Sequence, residues 1–284
     1  MASLTDIVKE YLKGENYTIK AGETLTAIGR RYGMSAKQLW DFEGDTGTAN
    51  SARVGRASPA MARKDDVIVV PKLPATVADA EGSVTIPDDL AAVMKEQWDK
   101  SIAIQNKTAL VAPNTNADFN LIYMDQNAKE HGGILTWVVA TKTLEFIRTG
   151  SGNAGSYPID LALDPDRYIL GSLHTHPYTR FVDDDDKEDV AYSGTDLAVY
   201  MEYTALLDFV QSGEMRFLCM RTKKTPRSSA AASKAKRDWT AGFTITDYKR
   251  QTYVDSVMKI TKKVCTDNDQ AFYSDKGKTL SKKN

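Results

Sequence analysis

Tyr168-Ile-Leu-Gly-Ser-Leu-His-Thr-His-Pro177, followed after a gap by Ser193-Gly-Thr-Asp196, is the stretch on which the reading of this chain turns. Tyr168 to Leu173 has the apolar make-up of a short strand. In a strand, residues i and i+2 leave on the same face, so His174 and His176 can reach one point while Thr175 turns away. Asp196 falls in the first turn of a helix expected from Ser193 to Val210, with Val199, Tyr203, Leu206, Leu207 and Val210 on one face. Two imidazoles and a carboxylate suit Zn2+ and leave a fourth position for water, whose pKa such an ion lowers towards ~7. The chain has three histidines. Two form this pair, and the third, His131, adjoins an acid, Glu130. An isolated His-x-His would read as two packed strand residues. Ser193 and Asp196 behind it favour a metal.

Working outward, strands are expected at Ile134–Ala140 and Leu144–Ile147, joined by a three-residue connection, and again at Met215–Arg221. Pro87 opens a helix running to about Gln105, with Leu90, Val93, Met94, Trp98 and Ile102 at helical spacing. Ala241–Tyr248 reads as a further strand and Thr252–Val264 as a last helix. Residues 267–284 read as a polar tail. Asp183–Asp189 carries six acids in seven residues, and lies between the paired histidines and Asp196. It reads as a solvated loop or as a gate over the site. Arg221–Arg237 has seven Lys or Arg and no acid, and reads as a basic loop.

The N-terminal part is organised differently. Tyr17–Gly22 reads as a strand ending in a turn, and Glu23-Thr24 opens a helix with Leu25, Ile28 and Tyr32 on one side. Gly33 stops that helix, Ser35 caps a second one bearing Leu39 and Trp40, and Asp66–Val70 closes the unit as a strand. The order strand–helix–helix–strand fits a minimal domain at 17–73. Residues 74–86, small and polar and followed by Pro87, read as a linker. Residues 87–266 then form the second domain.

Tyr17-Thr-Ile-Lys-Ala-Gly-Glu-Thr-Leu25, Ile28, Arg31-Tyr-Gly33, Leu39 and Val67-Ile-Val-Val-Pro71 together resemble the LysM family. That resemblance implies binding of N-acetylglucosamine-containing glycans such as peptidoglycan. Gly22, Glu23, Thr24 and Leu25 then lie in the segment that binds glycan or a delivery component. Asn50, Arg53 and Arg56-Ala-Ser-Pro59 make the stretch before the last strand longer and richer in Arg. In this it resembles variants that accompany bacterial toxin and injection-system proteins.

Glu130-His-Gly-Gly-Ile-Leu135, His174-Thr-His-Pro177 and Ser193-Gly-Thr-Asp196 resemble the motif of the JAB/MPN metallopeptidases, the JAMM family, over about residues 90–215. They look most like the JAB-like domains at the ends of bacterial polymorphic toxins. The resemblance implies an α+β fold with a mixed sheet, layered as in the cytidine deaminases. It implies that His174, His176 and Asp196 hold Zn2+. Glu130 is then the base that passes a proton from water to the leaving amine, and Ser193 binds the developing oxyanion. Glu145 is the rival base but lacks the Gly-Ile-Leu context. The gap from His176 to Ser193 is longer than the family's, because the acidic run intervenes.

Composition narrows the partners. With 37 basic and 38 acidic residues the net charge is −1, so no global field attracts nucleic acid or an anionic membrane. No aromatic residues interleave the basic run, and nucleic acid is not an expected partner; a nucleic-acid hydrolase rests on that run alone. No apolar stretch is long enough to span a bilayer, and the first residues lack the pattern of a signal peptide. Synthesis in the cytoplasm followed by export through a dedicated secretion system is the expectation. Cys219 and Cys265 read as two reduced thiols or a single bridge. The expected function is a zinc-dependent peptide or isopeptide hydrolase, a toxin or effector acting on peptidoglycan peptides or a target protein. A secretion-system component and an immunity protein are its expected partners. The competing expectation is a non-catalytic docking component whose LysM-like half does the binding.

Overall fold

Glu15–Thr18 (β2) pairs antiparallel with Val67–Val70 (β3), and two short helices, Leu25–Arg31 (α2) and Ala36–Asp41 (α3), lie between them. This computed structural model describes residues 1–102, 129–153, 156–177, 190–242 and 250–284. Thr24 caps α2 by accepting from Ala27 N at 3.2 Å, and Ser35 caps α3 in a reciprocal capping box with Gln38. The Arg-bearing segment serves this small fold. Asn50, buried at the start of a helix over Asn50–Val54 (α4), donates to Leu39 O and Val69 O and accepts from Val69 N, tying α3 to β3. Arg56 pairs with Asp66 at 2.8 Å.

The rest of the chain builds a nine-stranded mixed sheet, curled as a half-barrel, so the protein is α+β as expected. Its strands are Ala2–Ser3 (β1), Ser83–Thr85 (β4), His131–Val138 (β5), Thr143–Ser151 (β6), Arg167–Thr175 (β7), Leu207–Ser212 (β8), Met215–Arg221 (β9), Gln270–Lys276 (β10) and Thr279–Lys282 (β11). The order is β1-β4-β11-β10-β9-β8-β7-β5-β6. Among the described strands, only β1/β4 and β7/β8 run parallel. A parallel pair needs a crossover, and for β7/β8 it contains Gly194–Tyr203 (α6), the helix that carries Asp196.

Alternation along the strands feeds two cores. On one face Leu135, Leu173, Phe209 and Leu218 pack with Leu4, Val8 and Tyr11 of an N-terminal helix, Leu4–Lys13 (α1), and with Leu90 and Met94 of Asp88–Ile102 (α5). On the other, Val210, Phe217, Cys219 and Phe272 pack with α6, with Ser229–Gly242 (α7) and with Arg250–Asp267 (α8). The Cys219 and Cys265 sulfurs are both buried here as free thiols, 3.6 Å apart.

Five expectations need correction. The helix predicted over 193–210 ends at Tyr203, and Leu207–Ser212 is a central strand. Leu206, Leu207, Phe209 and Val210 are apolar around Asp208, a pattern that suits a strand buried on both faces as well as a helix. Tyr203, expected on the buried face, is 57% exposed. The basic run is not a loop throughout: Arg221 is buried and Ser229 starts α7. The predicted strand over 241–248 meets the end of α7 at Gly242, and residues 243–249 lie outside the described residues. The polar tail forms β10 and β11, burying Ala271, Phe272, Tyr273 and Leu280. The stretch 74–86 carries β4, and Val77 N bonds to Asp269 Oδ1 at 3.0 Å.

The N-terminal unit is bonded to the sheet. Gly33 O accepts from Ile169 N of β7 at 2.9 Å. A Cβ on Gly33, whose φ is +70°, would stand 1.7 Å from Ile169 O, so only glycine permits this approach. Gln38 Nε2 lies 2.7 to 3.0 Å from the carbonyls of Asp164, Pro165 and Arg167, and Phe42 meets Tyr168 edge to face.

Candidate metal centre

β7 ends where the chemistry begins. His174 is its penultimate residue, and His176 follows just beyond it, held by its N–H to Gln211 O at 2.9 Å. Leu173 enters the core with α1 and α5, so by alternation His174 and His176 emerge towards α6. Both are buried.

Asp196 meets them from the first turn of α6. Ser193 is the N-cap: its Oγ accepts from Asp196 N at 3.2 Å, and its own N–H donates to Asp196 Oδ2 at 2.7 Å. This capping box fixes the carboxylate at the helix N-terminus, where negative charge is favoured. Asp196 Oδ1 is then 3.5 Å from His174 Nε2 and Oδ2 is 3.3 Å from His176 Nε2, while the two Nε2 atoms are 3.0 Å apart.

That group can close around a small tetrahedral cation. Ligands bonded to zinc at 2.0–2.1 Å in tetrahedral geometry lie about 3.3 Å from one another. The two Nε2 atoms are 3.0 Å apart, and one Asp196 oxygen lies within 4.8 Å of both. The tautomer agrees as well. His176 Nδ1 lies 3.2 Å from Val190 O, a carbonyl that can only accept, so the proton sits on Nδ1 and the Nε2 lone pair faces the centre. Two ring nitrogens this close require a proton or a cation between them. His174, His176 and Asp196 are the group among the described residues able to hold a metal ion; the identity of the ion is not fixed by them.

Electrostatics describe the metal-free state. Burial pulls the His174 pKa down, but Asp196 beside it, with Glu130 and Asp208 further off, reverses this and raises it to about 9. Burial would raise Asp196, but the two imidazoles hold it well below the usual carboxylate range. A proton therefore bridges the site when metal is removed. Because the folded pKa of His174, about 9, exceeds its unfolded value of 6.5, the stabilisation is complete below pH 6.5 and lost as pH rises through 9. Chelator-treated protein is expected to lose about 3 kcal/mol of unfolding free energy across this window. Urea melts at pH 6 and pH 9 measure it, and equal midpoints would reject the buried imidazolium.

Glu130 is buried just ahead of β5. Its N–H donates to Asn153 O at 2.9 Å, and its carbonyl accepts from Gly152 N at 2.7 Å. Gly132 pairs with His174, and a Cβ there would strike Leu173 O at 2.1 Å, so glycine is needed where β5 passes the site. His131, by alternation, turns to the other side of the sheet, and its N–H is held by Thr175 Oγ1. Glu145 stands on β6, paired with Arg167 at 3.2 Å and half exposed. The acidic run 183–189 lies outside the described residues.

Asp208 and Ser212 of β8 belong to this neighbourhood and were not among the candidates: Asp208 fell within the expected helix, and Ser212 lay just beyond its end. Burial pushes the Asp208 carboxyl up to about 7, against the field of His174.

In the N-terminal unit, the segment Gly22–Leu25 divides by role. Leu25 is core and Thr24 is the α2 cap. Glu23 accepts from Tyr17 OH at 2.6 Å and Lys20 N at 3.0 Å and pairs with Arg31 at 2.6 Å. Gly22 is exposed at φ +81°, with open space around it.

No described helix is long and apolar enough to cross a membrane. No curated protein and no solved structure matches the chain, and no comparison identifies the expected JAB/MPN domain. Residues 17–42 match the LysM domain, and a LysM domain at this place suggests peptidoglycan binding.

Proposed function

We propose that this chain is a zinc-dependent amide hydrolase, with a JAB/MPN-like domain carrying the chemistry and a LysM domain carrying the recognition of peptidoglycan. The observation behind it is the convergence of His174, His176 and Asp196, whose ligand atoms lie within 4.8 Å of one another, with the buried Glu130 near enough for its charge to act on His174.

Zinc, when bound, supplies Lewis acidity to an amide carbonyl and acidifies water. The chain's own groups do the rest. Glu130 takes the proton from the attacking water and returns it to the leaving amine. Ser193 Oγ, whose lone pair is engaged by Asp196 N, keeps its O–H to donate to the developing oxyanion. The substrate classes are the peptides of peptidoglycan, reached through residues 17–42, or an amide of a target protein. Export as an effector with a cognate immunity protein is part of the same reading. A second reading is a non-catalytic docking component. It draws on the capping box, in which Ser193 and Asp196 satisfy one another without a ligand.

Zinc stoichiometry separates the two. Wild-type protein is expected to hold about one zinc per chain, and His174→Ala and Asp196→Ala to hold none while keeping the wild-type circular dichroism spectrum. A wild-type protein that takes up no zinc after reconstitution leaves only the docking component.

A further inference from the structure

The two imidazoles are differently supported, and both supports come from one strand. Ser212, the last residue of β8, is fully buried. Its Oγ donates to His176 O at 3.0 Å and accepts from Val190 N at 3.0 Å. Val190 in turn offers its carbonyl to His176 Nδ1 at 3.2 Å. One hydroxyl thus fixes the backbone of His176 and also the carbonyl that sets its tautomer.

His174 presents the complementary case. Its Nδ1 is buried and has no hydrogen-bond partner among the described residues. On the neighbouring parallel strand, His174 stands opposite Val210 and Ser172 stands opposite Asp208, so His174, Ser172 and Asp208 share one face. Asp208 is buried and bonds through Oδ1 to the Ser172 hydroxyl. Its charge acts on His174. A ligating imidazole needs an acceptor for its outer N–H, and a buried carboxylate is a common one.

We propose that β8, which contributes no metal ligand, orients both imidazoles of the metal centre: Ser212 positions His176 through Val190, and Asp208 accepts from His174 Nδ1–H once that ring is metallated. This rests on the zinc-site reading for its second half only. Ser212 and Asp208 are positioning residues, so their loss is expected to weaken metal binding without dismantling the fold.

The test uses the full chain and zinc alone. Dissociation constants are measured against a competing chelator for wild type, Ser212→Ala, Ser212→Thr and Asp208→Asn, beside urea melts of the metal-free proteins. Ser212→Ala and Asp208→Asn are expected to bind zinc about 10- to 100-fold more weakly. Ser212→Thr keeps the hydroxyl and the wild-type affinity. With three histidines in the chain, long-range 1H–15N spectra of the metal-free protein resolve each ring. His176 is expected as the Nδ1–H tautomer in wild type and Ser212→Thr, and as a mixture in Ser212→Ala. The His174 Nδ1 resonance is expected to move in Asp208→Asn. Wild-type zinc affinity in both Ser212→Ala and Asp208→Asn, or an unchanged His176 tautomer in Ser212→Ala, overturns the assignment. If wild-type protein takes up no zinc, the hydrolase reading fails, while the tautomer spectra still decide the role of Ser212.

Discussion

Glu130→Gln is expected to bind zinc as wild type does and to hydrolyse its amide substrate roughly 100- to 10,000-fold more slowly. The substitution keeps the shape of a buried side chain and removes its ability to take a proton. The backbone of residue 130 is anchored on both sides, to Asn153 and Gly152, so an isosteric change leaves its position intact. In the proposed site, metal affinity would be carried by His174, His176 and Asp196 and should not follow activity down. The parallel change, Glu145→Gln, is expected to leave turnover unaltered, because Glu145 is paired with Arg167 on the edge strand β6. Turnover of peptidoglycan stem peptides and of isopeptide-linked substrates, with zinc content measured on the same samples, checks both. Full activity in Glu130→Gln would remove Glu130 from the mechanism.

Arg221→Ala is expected to destabilise the protein by about 3 kcal/mol. Arg221 is 1% exposed. Its guanidinium donates to Tyr200 O and Met201 O at 2.8 Å and to Thr204 O at 3.1 Å, and its Cζ lies 5.2 Å from the centre of the Tyr200 ring. Those carbonyls end α6, where the helix dipole leaves a negative pole. Alanine would leave a void, strip Met201 O of its guanidinium donor, and leave Tyr200 O and Thr204 O with Thr204 N and Arg227 alone. Lysine cannot spread donors over the same carbonyls and should recover only part of the loss. Urea denaturation of the metal-free proteins measures the difference, and a loss under about 1 kcal/mol would mean that water replaces the guanidinium.

How much of this was legible beforehand follows from the range of the interactions involved. The triangle of His174, His176 and Asp196 was readable because two local rules place it: the two-residue period of a strand end, and the cap at the start of a helix. The N-terminal unit was readable for the same reason, with Thr24 and Ser35 marking its helices. β8 was not. Leu206 to Val210 continues the apolar pattern of α6, and only pairing with β7 and β9 makes it a strand. Ser212 and Asp208 were hidden with it. Residues 270–282 look polar because sheet pairing, not composition, places them. The helix over residues 4–13 shows its apolar stripe in sequence, but not the distant sheet that Leu4, Val8 and Tyr11 cover.

The bond between Gly33 and Ile169 sets how such a protein can work on a polymer. Ile169 and His174 belong to the same strand, so the LysM unit is bonded directly to the strand that carries the candidate metal centre. A tethered pair would sweep a volume and attack any bond within reach, at a rate set by tether length. Here the offset is a constant of the fold. Under the proposed function, each grip on a glycan strand would address bonds at one distance from the held sugar, and the spacing of cuts along a repeating wall would be read from the protein as from a gauge block. Lengthening residues 74–86 would leave that spacing unchanged, whereas a side chain at position 33 would let it drift.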